Sequence, residues 1–203
     1  MNSKRILITG GASGFIGSFL VEKALEKNYE VWAGIRKSSS REYLQDEHIR
    51  FIDLNFSDKG KLKEQLSEFA REHGRFNYII HNAGVTKCLN PDDFDRVNFQ
   101  YTANFIDVLK EGDMVPDKFV LMSSLSAFGL GDEINYTPIK LTDTPNPNTA
   151  YGRSKLKAEQ YLQQTTDFPY IILRPTGVYG PPGKRLFSDD KNCKIRIGCG
   201  CWI

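Results

Sequence analysis

The stretch Ile6–Gly17, ILITGGASGFIG, decides the fold of this chain of 203 residues. Its first four residues are apolar or β-prone and predict a short buried strand, and glycines 10, 11, 14 and 17 then open a predicted helix. Such glycines let the backbone approach a pyrophosphate, whose charge suits the free N–H groups of a helix N-terminus. The pattern favours a dinucleotide-binding turn, and the alternative is an ordinary strand–helix turn that needs glycine only for packing. The predicted buried face of the helix consists of Ile16, Phe19, Leu20 and Ala24.

The length fits one domain, or one domain and a fragment of another. The composition is that of a globular protein with an ordinary core: 40% of the residues are hydrophobic, 26% are charged, and the net charge is +2. Basic and acidic residues are interspersed, which argues against nucleic acid and membrane surfaces as partners. The start MNSKR lacks the apolar core of a signal peptide, and no apolar run approaches the roughly 18 residues that span a bilayer. We therefore expect a soluble cytoplasmic protein whose four cysteines form no disulfide framework.

Strand and helix patterns alternate along the rest of the chain. This alternation predicts an α/β fold, a doubly wound and mostly parallel sheet with helices on both faces. Ser57 is the predicted N-cap of one helix, a second runs from near Pro91 to about Lys110, and a third covers roughly 149–165. Residues 129–148 have the composition of a loop. The predicted strands after the first are Tyr29–Ile35, Arg50–Phe56, Phe76–His81, Lys118–Met122 and Tyr170–Leu173.

Basic and hydroxyl side chains follow the second predicted strand. Arg36 and Lys37 precede Ser38–Ser40 about 20 residues after the glycine turn, where dinucleotide folds contact the adenosine ribose. An acidic residue there would bind the 2′-hydroxyl of NAD, whereas cations and hydroxyls suit a 2′-phosphate. The sequence thus favours NADP over NAD, and a solvated basic loop is the alternative.

A serine, a tyrosine and a lysine form the candidate catalytic group. Tyr151 and Lys155 begin the last predicted helix, and Ser124 lies 27 residues before Tyr151 at the end of a strand. Side chains four residues apart share a helix face, so the Lys155 ammonium is expected to lower the pKa of the Tyr151 phenol toward neutrality. With Ser124 bonding the substrate oxygen, the group suits proton transfer at an alcohol or carbonyl while a nicotinamide exchanges hydride. Taken singly, the pair could lie on the surface and Ser124 in a turn.

Together these motifs resemble the extended short-chain dehydrogenase/reductases, the NAD(P)-dependent epimerase/dehydratase family. The resemblance covers Ile6 to about Pro182 and implies a Rossmann-like sheet, hydride transfer on a nucleotide sugar or small carbonyl substrate, and a homodimer. The matching segments are TGGASGFIG, Asp53-Leu54, the HNAG turn at 81–84, Asn98, Ser-Ser before SAFG, YGRSK and RPTGVYGPP at 174–182.

The resemblance also implies roles for individual residues. Tyr151 would be the acid/base, assisted by Ser124 and by Lys155, which would also bind the nicotinamide ribose. Asp53 would bind the adenine amino group with Leu54 beside it, and Asn98 would support the helix that carries the site. The pyrophosphate would be held by Gly11, Gly14, Phe15, Ile16 and Gly17. The remaining cofactor contacts would come from Ala83 and Gly84 along the cofactor, and from Pro175 to Val178 at its nicotinamide end.

Two departures from the family pattern affect the expected activity. The glycine turn carries one residue more than TG-x-x-G-x-x-G, which would reshape the phosphate loop. Extended members also continue for a hundred or more residues that form a substrate domain. We therefore expect an NAD(P)-binding domain at residues 1–182 and an atypical tail at 183–203, truncated or out of frame. Cysteines 193, 199 and 201 do not have zinc spacing, so no metal is expected. The alternative function is a non-catalytic nucleotide-binding remnant.

Overall fold

A single parallel sheet organises the computed structural model, which describes residues 3–10, 12–36 and 38–178. Its six strands stand in the order β3-β2-β1-β4-β5-β6, and every neighbouring pair is parallel. This is the predicted doubly wound, Rossmann-like sheet. The strands are β1 Arg5–Thr9, β2 Glu30–Gly34, β3 Arg50–Ile52, β4 Tyr78–His81, β5 Lys118–Met122 and β6 Tyr170–Leu173. Gly11, Lys37 and the predicted tail lie outside the described residues, so the tail boundary stays a prediction.

Five α-helices, one π-helix and one 3₁₀-helix connect the strands within the described ranges. The predicted helix from Pro91 to Lys110 is present, but its middle third is a π-helix. The predicted loop at 129–148 holds no helix or strand. The α-helices are α1 Phe15–Glu26, α2 Lys59–His73, α3 Asp92–Phe94, α4 Tyr101–Glu111 and α5 Ala150–Gln164. The π-helix is Asp95–Gln100, and the 3₁₀-helix is Leu125–Ala127.

Two hydrophobic clusters cover the two faces of the sheet, because successive strand residues point to opposite sides. Ile6 and Ile8 of β1 pack with α1 on one face, whereas Leu7 packs with α2, α4 and α5 on the other. Fully buried side chains such as Leu62 and Leu162 each contribute about 2 kcal/mol to this second cluster.

Two local predictions were wrong. Phe19 of α1 is 45% exposed, because Gly17, Val21 and Ala24 form the face that meets the sheet. The N-cap of α2 is Asp58 rather than Ser57, since the Asp58 side chain accepts the Lys61 N–H at 3.0 Å.

Candidate active site

The candidate site lies where the strand order reverses. β1 is flanked by β2 and β4, so the strands after β1 and the strands after β4 extend the sheet in opposite directions. Open α/β sheets bind their ligands in the crevice at such a point. Thr9 and His81 are register partners at these two strand ends. The glycine turn follows Thr9, and the turn with Ala83 and Gly84 follows His81.

The glycine turn opens α1 without a side-chain cap. Gly14 is the N-cap residue, and the first backbone bond of the helix joins Ser18 N–H to Gly14 C=O at 2.9 Å. The N–H groups of Phe15, Ile16 and Gly17 thus precede the ladder, and the first turn carries no acidic residue. This end of α1 is therefore a positive, donor-rich site for an anion.

Gly10 of the turn lies directly against the chain that follows β4. Its φ of +41° is in the left-handed region, and a Cβ there would lie 2.2 Å from the Ala83 Cβ and 2.4 Å from the Ala83 Cα. The turn and the chain after β4 are therefore in contact, and only glycine permits that approach. The sequence indicated a surplus glycine without indicating this contact, because the contact crosses the sheet.

Residues predicted to surround the adenosine end are at the carboxyl ends of β2 and β3. Arg36 is exposed, and its backbone N–H donates to the Ser39 hydroxyl at 3.2 Å. β3 ends at Ile52. Asp53 therefore lies just beyond the strand and is half-buried, and Leu54 after it is buried.

Helix α5 brings the three candidate catalytic side chains together. Its N-cap Thr149 accepts the Gly152 N–H at 2.9 Å, and a Cβ on Gly152 would lie 2.2 Å from the Ser126 carbonyl oxygen. The helix therefore packs directly on the turn that follows β5, which carries Ser124. Ser124 lies close enough to Tyr151 to lower the pKa of the phenol, and the Tyr151 ring packs edge-on against Phe94 with the ring centroids 6.0 Å apart. Gly152 was not among the predicted site residues, although it lies within YGRSK.

The buried Lys155 reaches both sides of the crevice. Its Nζ donates to the Met122 carbonyl at 3.0 Å and to the Ala83 carbonyl at 3.4 Å, and lies 6.0 Å from the centre of the Tyr151 ring. A Cβ on Gly84 would lie 2.8 Å from this Nζ. Burial lowers the pKa of Lys155 to about 8, although Glu159 acts in the opposite direction.

The predicted direction for the pKa of Tyr151 was wrong. Burial raises the pKa of this phenol, and the hydrogen bond with Ser124 offsets only part of that rise. The Lys155 ammonium is bonded to the two carbonyls instead of the phenol, which explains why it does not dominate the phenol's pKa.

Asn98 of the π-helix fastens the turn after β4 to α5. Its side chain accepts the Val85 N–H at 2.8 Å, donates to the Val85 carbonyl at 3.1 Å, and donates to the Ser154 hydroxyl at 3.0 Å. Asn98 is buried, so these bonds are shielded from water. The π-helix supplies this orientation, and π-turns are frequent at functional sites.

His81 continues this network to the glycine turn. The Thr102 hydroxyl donates its one proton to the Asn98 carbonyl at 2.9 Å, so it accepts from His81 Nε2 at 3.1 Å, and Nδ1 accepts from the Thr9 hydroxyl at 2.6 Å. Complete burial, with a smaller effect of Lys155, lowers the pKa of His81 to about 3. His81 is therefore a neutral bridge between β1 and α4.

The last predicted contacts follow β6. The Pro175 carbonyl accepts the Leu125 N–H at 3.0 Å, so Pro175 lies beside the turn that carries Ser124. Val178 is 41% exposed, and Gly84 is exposed as well. The described residues thus form a crevice between the positive end of α1 and the Ser124–Tyr151–Lys155 group. These features suit a nicotinamide dinucleotide, because the uncapped N-terminus of α1 offers free N–H groups and no negative charge to a pyrophosphate.

Fold and site together define a Rossmann-type domain with a serine–tyrosine–lysine group at its switch point. The model of the NAD dependent epimerase/dehydratase family matches residues 6–194. The chain belongs to this family.

Individual relatives are similar over about half of their own length. A Methanocaldococcus jannaschii protein provisionally named UDP-glucose 4-epimerase is 31% identical over 182 residues, which are 86% of this chain and 56% of the relative. The decarboxylating sterol-4-alpha-carboxylate 3-dehydrogenase of Saccharomyces cerevisiae is 26% identical, over 95% of this chain and 58% of that enzyme. The crystal structure of the Bordetella bronchiseptica enzyme WbmG in complex with NAD and UDP has a TM-score of 0.67 and 26% identity, over 85% of this chain and 53% of that one.

None of the helices in the described ranges has the length and apolar character needed to cross a membrane. Within the same ranges, no three His, Cys, Asp or Glu side chains cluster in a way that could hold a metal ion. Cytoplasmic location and the homodimer stay predictions.

Proposed function

We propose that this chain binds NAD(P) and contributes the catalytic group of an epimerase, dehydratase or oxidoreductase that transfers hydride at an alcohol or carbonyl carbon. The observation that carries the proposal is the convergence of Ser124, Tyr151 and Lys155 beside the crevice that begins at α1. A nicotinamide bound there supplies the hydride acceptor or donor. The N–H groups of Phe15, Ile16 and Gly17 would hold its pyrophosphate, and Asp53 the adenine.

The chain's own residues account for the proton. The Ser124 hydroxyl would bond the substrate oxygen, and the Tyr151 phenol would give its proton to that oxygen during reduction. In the reverse direction the Tyr151 phenolate would take the proton from the substrate hydroxyl. Lys155 would bind the nicotinamide ribose. Because burial raises the pKa of Tyr151, the protonated phenol predominates at neutral pH, which suits the donor role in carbonyl reduction.

A nucleotide sugar is the substrate class that we propose. This class is supported by the relatives named for UDP-glucose and by the UDP bound in the WbmG structure. A sterol carboxylate is the alternative that the yeast relative suggests. In both classes the reacting carbon carries a hydroxyl, so the same Ser124–Tyr151 pair would serve.

We further propose NADP as the preferred cofactor. The proposal is supported by the exposed Arg36 guanidinium at the end of β2, with Ser39 bonded to its backbone. Arginine pairs with phosphate through two parallel hydrogen bonds, which a 2′-hydroxyl cannot reciprocate.

Binding and turnover of Tyr151→Phe test the proposal. Fluorescence titration with NADH and NADPH measures binding, and conversion of UDP-glucose, followed by chromatography in the presence of the oxidised cofactor, measures turnover. Loss of the phenol is expected to reduce turnover by about 10²- to 10⁴-fold while cofactor affinity stays within about twofold. Tyr161→Phe is the matched control, because Tyr161 lies on the same helix but bonds Asp107 of α4, away from the crevice.

Each outcome separates the candidate functions. Absence of binding by both cofactors would contradict the proposal altogether. Binding without turnover in the unaltered chain would favour the non-catalytic remnant. Equal turnover by Tyr151→Phe and the unaltered chain would exclude Tyr151 as the proton donor.

A further inference from the structure

A buried ion pair lies directly behind the candidate catalytic group. Glu159 is 1% exposed, and the Arg174 guanidinium donates to it from Nε at 3.0 Å and from Nη2 at 2.8 Å. The Ser123 hydroxyl donates to the same carboxylate. Arg174 also lies over the Phe128 ring at 4.9 Å. A carboxylate so deeply buried is retained only when its partners are in place.

The partners of Glu159 come from the two strand ends that border the site. Ser123 follows β5 and precedes Ser124, while Arg174 follows β6 and precedes Pro175. The backbone joins the same strand ends, because Ser123 N–H donates to the Leu173 carbonyl at 2.8 Å. The Glu159 carboxylate thus ties α5 to the segments that follow β5 and β6.

Glu159 is also the next member of the helix face that carries the catalytic pair. Tyr151, Lys155 and Glu159 follow one another at intervals of four residues on α5, so their side chains share one face. The titratable and charged groups that face Lys155 are Tyr151 and Glu159 on its own helix and His81 on β4, with Arg174 behind Glu159. His81 is neutral, which leaves Glu159 as the negative charge that opposes the effect of burial on Lys155.

We propose that the Glu159–Arg174 ion pair is a positioning unit of the active site, which clamps α5 to the ends of β5 and β6 and holds the Glu159 carboxylate on the helix face that carries Lys155. The positive charge of Arg174 offsets the free-energy cost of burying the Glu159 carboxylate, and the hydrogen bonds fix the orientation of this carboxylate. Glu159 acts through Lys155 and Ser123 rather than on the substrate. The catalytic role of the ion pair rests on the proposed function. Its effect on the proton affinity of Lys155 does not depend on that function.

The test is the titration of the Lys155 amine in Glu159→Gln. Chains labelled with ¹³C,¹⁵N-lysine are followed by NMR against pH, with the Lys155 signal assigned by its loss in Lys155→Arg. We expect the unaltered chain to titrate near pH 8. Glutamine keeps the size of the side chain but removes its charge and leaves Arg174 unpaired, so the proton affinity of Lys155 should fall by about tenfold.

Two further variants keep the test decisive. Asp95→Asn removes the ion pair that joins the π-helix to Lys157 on the exposed side of α5, and it should leave the Lys155 titration unchanged. Glu159→Gln with Arg174→Gln leaves no unpaired buried charge, so it should fold even if the single variant does not. In this double variant the proton affinity of Lys155 should fall by about threefold.

Unchanged titration of Lys155 in the folded Glu159 variants would overturn the proposal. An equal change in Asp95→Asn would also overturn it, because the effect would then be general to α5. The titration needs no cofactor or substrate, so a chain that fails to bind NADH would contradict the proposed function and leave this result standing. If NADH binds, its affinity should fall as the pH rises and Lys155 loses its proton. In Glu159→Gln this fall should occur at lower pH, together with the lysine titration.

Discussion

The two halves of the sheet's carboxyl edge use different kinds of residue. We call β1, β2, β3 and α1 the glycine half, and β4, β5, β6, the π-helix and α5 the polar half. Among the described residues, Thr9 is the one buried polar residue of the glycine half. The polar half, the turn after β5 and the helix α4 hold all the others: His81, Asn98, Thr102, Ser123, Ser124, Ser154, Lys155 and Glu159.

This difference follows from what each half has to recognise. A phosphate is bound by backbone N–H groups and a helix terminus, which need close approach and therefore the absence of side chains. Proton transfer needs side chains whose pKa values are set by burial and by neighbours. The glycine half should therefore be sensitive to added atoms, and the polar half to altered charge.

Adding one methyl group at Gly10 is expected to have the largest effect on stability. Gly10→Ala should lower the free energy of unfolding by about 3 kcal/mol, because the left-handed backbone and the overlap with Ala83 both disfavour alanine. Urea denaturation measures this change. Gly60→Ala is the control in α2, where a Cβ meets only ordinary contacts, and should raise stability by up to about 1 kcal/mol. Equal effects of the two substitutions would contradict the contact at Gly10.

Acidification is expected to have an intermediate effect, through His81. The unfolded chain binds a proton at this imidazole below about pH 6.5, whereas the folded chain, with the pKa of His81 lowered to about 3, does not. Stability is therefore lost as the pH falls: between pH 6.5 and pH 5 the free energy of unfolding should decrease by about 2 kcal/mol from this group.

The measurement is urea denaturation at several pH values. His81→Gln should flatten the pH dependence, and His48→Gln, which alters an exposed imidazole, should not. An unchanged slope in His81→Gln would show that other groups cause the acid sensitivity.

Removing the cation at the end of β2 is expected to have the smallest effect, confined to one cofactor. Arg36→Ala should weaken NADPH by about tenfold, or about 1.4 kcal/mol, and leave NADH unaffected, because only the 2′-phosphate uses the guanidinium. Competitive titration measures both affinities, with Arg71→Ala on the outer face of α2 as the control. A similar loss for both cofactors would contradict a contact with the 2′-phosphate.

The sequence predicted the strands better than the contacts between distant residues. All six strands follow from local periodicity, because this signal lies within a few neighbouring residues. Strand β3 is shorter than predicted, which places Asp53 after the strand instead of within it. Phe19 was misplaced because the face of α1 that meets the sheet uses small residues, which hydrophobicity does not reveal.

The polar half depends on pairs that are distant in the sequence. His81 meets Thr9 and Thr102, and Asn98 meets Ser154, so no local pattern predicts these bonds. Spacing does give one signal that was missed. Glu159 extends the Tyr151–Lys155 interval by another four residues, which already places a carboxylate on the catalytic face of α5.

The π-helix is needed for the geometry of the site but is less stable than a regular α-helix. Residues 95–100 form wider turns than an α-helix, bonding to the fifth residue along instead of the fourth, and this geometry is intrinsically less favourable. Deleting one residue there would restore a regular helix and would be favoured by any redesign that optimises helical stability alone. Because Asn98 would then turn away from Val85 and Ser154, the more stable helix would carry a misassembled site. Stabilised versions of this protein should therefore be sought outside this segment.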